Sequence, residues 1–385
     1  MNPLARRIPE LDGIRGTAIL MVVVFHYVMP WASARPATLL YNLRYATQLG
    51  WTGVDLFFVL SGFLIGGILL DTRDSPAYFS TFYTRRFFRI VPLYIVWILT
   101  SFGAIWLITA GDFGKWIQDG AFPMWPYVGF AQNFWMAAQN HFPNYVGVSW
   151  SLAVEEQFYL TLPLIIRFAP RNWLPWIVGL GIVMAPALRI LIFYHMPQHP
   201  VGLYVLMPTR ADSLLFGVLG AMLMRDEKKK LKLKNSGFLL AVTLVMLASF
   251  AACLMMIDGN LGSEPMATIG YTVMAAFYLC LILFCITQTH SWLAAVMRLS
   301  WLRWLGAISY GVYLFHDQVR AALCSAILLP SDYLRTPWGW VAGLVSFAIT
   351  VAICSASWVY FEKPMMSLGQ KSATWGGSVA QVNAS

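Results

Sequence analysis

WTGVDLFFVLSGFLIGGILL, residues 51–70, runs for twenty residues with a single charged group, Asp55. That is the length a helix needs to cross a bilayer, about 20 apolar residues rising ~1.5 Å each. Nine further windows read the same way, near 14–31, 90–110, 150–169, 173–193, 203–224, 237–258, 267–287, 306–329 and 338–361. The composition agrees. Of 385 residues, 59% are hydrophobic and 11% charged, and the mean hydropathy is +0.64. A soluble domain carries about 25% charged residues, so a water-facing surface cannot be built from this chain. The sequence predicts an all-α, polytopic membrane protein with about ten transmembrane helices. Its 17 Trp and 17 Tyr suit the aromatic belts at membrane interfaces.

Lysine and arginine set the orientation, because connections rich in them stay cytoplasmic. Eighteen fall in one set of connections, among them Arg6, Arg7, Arg85, Arg86, Arg89 and the basic residues of Lys228–Lys234; only Arg35, Arg44, Lys115 and Arg335 fall in the other. Both termini are therefore expected in the cytoplasm. The expected organisation is a cytoplasmic N-terminal segment 1–13, a transmembrane domain 14–365 and a disordered cytoplasmic tail 366–385. The aromatic-rich connection 111–149 is expected to form an interfacial cap rather than another span. The net charge of +9 does not point to nucleic acid, since the basic residues lie in short loops between apolar runs. The five cysteines show no CxxC spacing and argue for neither a disulfide framework nor zinc. His195 and His199 have the spacing of a helical metal pair, but Pro197 and Pro200 interrupt the helix and no third ligand stands nearby, so no metal is expected.

Ionisable groups in hydrocarbon cost about 2.5–3.5 kcal/mol each on insertion scales and normally face a bundle interior or a wet cavity. Arg15 and His26 are eleven residues apart, about three helical turns, so they project from one face with His26 about 16 Å further along. Counting from the predicted outer ends, His26, Asp55, Glu155 and Glu156 lie at similar depths, with Arg210, Asp212, His316 and Asp317 slightly deeper. This concentration of charge predicts a site. Glu155 or Asp55 is expected to orient His26 as a general base, since a carboxylate beside an imidazole fixes its tautomer and raises its basicity. Glu156, about 100° away from Glu155 around the helix, cannot share its partner. Arg210 and Asp212 are expected to neutralise each other or to line the site with His316 and Asp317. At the cytoplasmic end, Arg86 and Arg89 are i,i+3 neighbours that suit a phosphate group, although a basic cluster there is also what topology alone requires.

In order along the chain, Leu11-Asp12-Gly13-Ile14-Arg15-Gly16, Arg15-x10-His26, Gly53–Phe63, Arg86-x2-Arg89, Trp150–Tyr159 and Ser309–His316 resemble the membrane acyltransferase-3 family, which includes bacterial O-antigen and polysaccharide O-acetyltransferases. The resemblance covers about residues 10–365. It implies an enzyme of the bacterial cytoplasmic (inner) membrane that moves an acyl group, usually acetyl, from cytoplasmic acyl-CoA to a hydroxyl of a glycan or another acceptor. Acyl-CoA, membrane lipid and that hydroxyl acceptor are the implied partners, with no metal. It makes Arg15 and His26 essential, gives Arg86 and Arg89 to donor binding, and favours Glu155 over Glu156. Some relatives carry an added esterase-like domain; with about twenty residues after the last window, none is expected here. Two alternatives remain at this stage: a small-molecule or lipid acceptor, and a proton-coupled transporter or flippase. Transporters often carry inverted repeats and broken helices, and neither stands out in this sequence.

Overall fold

The computed structural model describes residues 8–28, 47–108, 111–119, 123–255, 263–326 and 337–375. All regular structure among the described residues is helical, as expected. A helix occupies each of the ten windows: α1 (Pro9–Val28), α2 (Gly53–Thr72), α3 (Tyr78–Leu107), α4 (Trp150–Phe168), α5 (Leu174–His195), α6 (Met207–Leu223), α7 (Ser236–Met255), α8 (Tyr271–Thr287), α9 (Ser309–Ala326) and α10 (Pro337–Ser357). Six helical stretches are long and apolar enough to cross a membrane, or seven if the pair Glu227–Leu233 and Gly237–Ser249, bent by 74°, counts as one. The count is lower than ten partly because α4 and α9 carry Glu155, Glu156 and Gln157, and His316, Asp317 and Arg320. Polar groups that serve a site dilute the apolarity that marks a span. The expected ends of the first and ninth spans, Arg6, Arg7, Arg35, Arg44, Arg335 and residues 376–385 lie outside the described residues.

Small residues set how closely the helices approach. A Cβ added at Gly62 of α2 would collide with the Leu214 carbonyl oxygen of α6, and one at Gly217 would collide with the Val59 carbonyl oxygen. The two helices therefore touch backbone to backbone, the small-residue packing that substitutes for hydrophobic driving force in lipid. Gly16 of α1 and Gly306 of a short helix, Ser300–Ala307, make a second such seam. Gly217→Val should destabilise the protein by about 1–3 kcal/mol or more, the usual cost of overpacking. Gly179→Ala, where no atom lies within 4 Å of the added carbon, should leave the unfolding midpoint in detergent unchanged. Equal midpoints for both variants would refute the backbone seam.

Three short helices, Gly111–Gln118, Trp125–Val128 and Gln132–Gln139, occupy the connection expected as a cap, and none is long enough to cross a membrane. They are pinned by buried groups: the Tyr94 hydroxyl of α3 donates to the Tyr127 carbonyl at 3.0 Å, and Gln132 donates to Tyr94 and to the Ser149 carbonyl. The tail corrects an expectation. Past a π-turn over Trp358–Glu362, α11 (Lys363–Ser372) continues the chain, and Gly369 rests against Phe88. The carbonyls of Ala373, Thr374 and Trp375 then accept from Arg85 (3.1 Å), Thr81 (2.9 Å) and Ser75. The segment read as disordered is folded as far as Trp375, because its backbone acceptors meet donors at and just ahead of the first turns of α3.

Candidate active site

Helices α1, α2, α3, α4 and α9 enclose a cavity of about 250 Å³. Its polar lining is Arg15, Ser61, Arg86, Arg89, Ser151, Glu155, Tyr159, Ser309, Tyr310 and Tyr313, and aliphatic and aromatic side chains of α2 supply much of the rest. Arg86 lies with its guanidinium carbon 4.8 Å from the Tyr159 ring centre, a cation–π arrangement. The Tyr159 hydroxyl donates to Glu155 Oε2 at 3.1 Å. Its single proton thus committed, it accepts from the Ser61 hydroxyl. Arg15 stands 3.7 Å from Asp12. Among the described residues, neither Arg86 nor Arg89 makes a hydrogen bond or ion pair. The charges of Arg15, Arg86 and Arg89 all act on Glu155, but Arg15 already faces Asp12, and Arg86 and Arg89 have no ion-pair partner among the described residues. That imbalance suits an anion with several oxygens, the geometry for which arginine is fitted.

Beyond this cavity lies a pair of imidazoles. The His26 ring of α1 sits 4.9 Å, centre to centre, from the His316 ring of α9, at 66°. His26 Nδ1 is 2.9 Å from the Val22 carbonyl, and His316 Nδ1 is 2.8 Å from the Tyr313 carbonyl and 3.1 Å from that of Val312. A carbonyl only accepts, so each neutral ring carries its proton on Nδ1 and presents a lone pair on Nε2. His316 Nε2 is buried with no hydrogen-bond partner among the described residues. Asp317, paired with Arg320 at 2.5 Å, is the carboxylate whose charge acts on His26. The expected neighbours of His26, Glu155 and Asp55, are elsewhere. The depth count failed for Glu155 because α4 begins inside the protein: Ser149 and Trp150 at its start are buried, after a 3-10 turn over Gly147–Ser149. Counting five residues on from Trp150 to Glu155 therefore does not give its depth.

Asp55 is paired with Arg210 of α6 and accepts from the Ser213 hydroxyl at 3.0 Å. Arg210 also lies 3.9 Å above the Tyr271 ring. Arg210 and Asp212 do not neutralise each other. Two residues apart, they point about 200° away from one another around α6, and Asp212 pairs instead with Arg189 of α5 at 2.9 Å. Arg189 is fully buried and also donates to Thr272 and to the Ala267 and Thr209 carbonyls. Sequence reasoning missed Arg189, although a charge within the apolar run of α5 was itself the signal that a partner had to exist. Glu156 is not in the cavity lining; the charge of Arg86 acts on it, and its own acts on Tyr94 and Tyr310. Tyr159, Tyr313 and Ser151 were also missed, since hydroxyls in a span carry no distinctive pattern. Among the described residues no group of three His, Cys, Asp or Glu could hold a metal ion.

A multi-pass helical bundle with an arginine-lined cavity beside buried imidazoles defines the class, and sequence comparison fixes it. The chain belongs to the acyltransferase-3 family, whose profile, described as an acyltransferase domain, matches residues 8–359. Similar proteins include YrhL of Bacillus subtilis, named as a candidate peptidoglycan O-acetyltransferase, 27% identical over 95% of this chain and 56% of its own length. The peptidoglycan O-acetyltransferase OatA of Listeria monocytogenes is 26% identical over 94% of this chain and 56% of its own. A candidate O-acetyltransferase of Staphylococcus aureus is 24% identical over 96% and 59%. This chain thus spans a little over half the length of the curated relatives it matches. No solved structure matches it.

Proposed function

We propose that this protein is a multi-pass O-acetyltransferase of the bacterial cytoplasmic membrane. It takes an acyl group, acetyl in the first instance, from cytoplasmic acyl-CoA and transfers it to a hydroxyl of a cell-surface glycan or its lipid-linked precursor. The observation that carries this reading is the pair Arg86 and Arg89, facing a cavity with no acceptor for either among the described residues. They lie on the basic side of the protein, where a CoA phosphate from the cytoplasm would arrive. A glycan acceptor is favoured by the names of the relatives, two of which specify peptidoglycan.

In this mechanism Arg86, Arg89 and Arg15 hold the phosphates, Glu155 fixes the Tyr159 ring against which Arg86 lies, and the pantetheine arm covers the ~16 Å rise from Arg15 to His26. His26 Nε2 takes the proton of the acceptor hydroxyl while its oxygen bonds to the thioester carbon. The carbon–sulfur bond breaks, and the departing CoA thiolate takes that proton from the imidazolium. Asp317 keeps a negative charge close to the imidazolium as it forms.

Arg86→Ala and Arg89→Ala should each weaken CoA binding to the purified protein by about 10–100-fold, the value of a charged hydrogen bond of roughly 1.5–3 kcal/mol. Lysine should restore it only in part, since an ammonium cannot engage phosphate bidentately. Calorimetry in detergent reads this, and unaltered affinity in both alanine variants would remove them from the donor site. The function itself is tested with radiolabelled acetyl-CoA in proteoliposomes offered a peptidoglycan fragment, a lipid-linked precursor or a plain phospholipid. Base-labile label on the glycan is expected. Label confined to phospholipid, or none with any acceptor, would overturn the glycan reading.

A further inference from the structure

The arginine cavity and the histidine pair are adjacent but not joined: His26 and His316 are absent from the cavity lining, and Tyr313 belongs to both regions. Its ring lies 6.1 Å from the His316 ring and 6.3 Å from the Phe57 ring, and both Tyr313 and Phe57 line the cavity. Its hydroxyl is held at two points. It donates to the Val148 carbonyl at 2.8 Å and, having spent its proton, accepts from the Ser151 hydroxyl at 2.5 Å. Val148 belongs to the 3-10 turn that leads into α4, and Ser151 to the first turn of α4, one turn before Glu155.

We propose that Tyr313 is the gate between the donor cavity and the histidine pair, and that its hydroxyl must leave Ser151 and Val148 before a thioester can reach His26. The inference rests on the reading of the cavity as an acyl-CoA site. With the ring in place, an acyl group seated in the cavity meets the aromatic wall of Tyr313, while the His316 ring, 6.1 Å from that of Tyr313, is not part of the cavity lining. A latch of two hydrogen bonds suits a gate. At about 0.5–1.5 kcal/mol each, such bonds hold the closed state without locking it. Ser151, Leu152, Glu155 and Tyr159 all line the cavity from the same helix that carries the latch, so a donor seated against α4 bears directly on the two anchors. A closed gate also keeps the thioester from the imidazoles, and from hydrolysis, until an acceptor is present.

The test asks whether a CoA thiol can reach position 26, independently of acyl transfer. His26→Cys supplies a thiol there. It is treated with the mixed disulfide of CoA and thionitrobenzoate; the protein thiolate attacks the CoA sulfur, expelling coloured thionitrobenzoate, and peptide mapping locates the adduct. Tyr313→Ala in the same background should speed labelling at position 26 at least tenfold. Ser151→Ala and Tyr313→Phe, which keep the aromatic ring and guard against misfolding of the larger truncation, should speed it about three- to tenfold. Rates are compared at saturating reagent, with CoA affinity measured for each variant, so that a change in donor binding does not enter the comparison. Unchanged labelling in all three variants, with CoA bound normally, would overturn the gate alone. Failure of the wild-type protein to bind CoA would overturn the donor reading and the gate with it.

Discussion

Replacing His26 by alanine should lower acyl transfer by about a thousandfold, within the 10²–10⁴ range ascribed to a positioned general base. CoA affinity and the unfolding midpoint should stay close to wild type. The expectation follows from geometry: the Val22 carbonyl accepts from His26 Nδ1–H, the free Nε2 lone pair is the feature a base needs, and the ring is only half-buried. Its removal thus opens little of the core. His26→Gln should behave the same way, because an amide nitrogen can replace the hydrogen bond to Val22 but cannot take a proton. A well-folded His26→Ala protein that transfers acetyl within tenfold of wild type would end the assignment of His26 as base.

Asp55→Ala should cost stability instead. Asp55 and Arg210 are fully buried and paired, and removing one member of such a pair typically costs about 3–5 kcal/mol, because the other charge is left uncompensated. Arg210 would be left over the Tyr271 ring, with Nε and Nη1 already lacking partners among the described residues. The expected result is a sharply lower unfolding midpoint and a poor yield of folded protein. The double substitution Asp55→Leu with Arg210→Met, which removes both charges and keeps volume, should recover most of the midpoint and measurable transfer. Should Asp55→Ala instead fold normally and lose only activity, Asp55 belongs to the chemistry and its ion pair does not explain it.

These two residues also mark how far the sequence could be read. Each of the ten apolar windows is occupied by a helix, six or seven helical stretches being long and apolar enough to span, and charges inside the windows announced a site, because hydrocarbon tolerates such groups only for a reason. What could not be read was partnership. Helical periodicity says which way a side chain points, not which distant helix it meets, so Asp55 and Arg210, 155 positions apart, carried no mutual signal. His26 was assigned a carboxylate neighbour on chemical grounds and meets another imidazole. Glu155 was placed beside His26 by counting from a helix start that is itself buried. Arg210 and Asp212 could have been separated in advance, since a two-residue spacing sends them to opposite faces.

The stitching of residues 373–375 onto the start of α3 has a practical side. Any purification tag or fluorescent reporter fused immediately behind Trp375 would hang from the helix that presents Arg86 and Arg89, and the drag of a bulky passenger would be felt there first. A generous flexible spacer is therefore advisable, and proteolytic clipping just ahead of Ala373 should be ruled out before any weak-binding preparation is blamed on the lipid or the detergent.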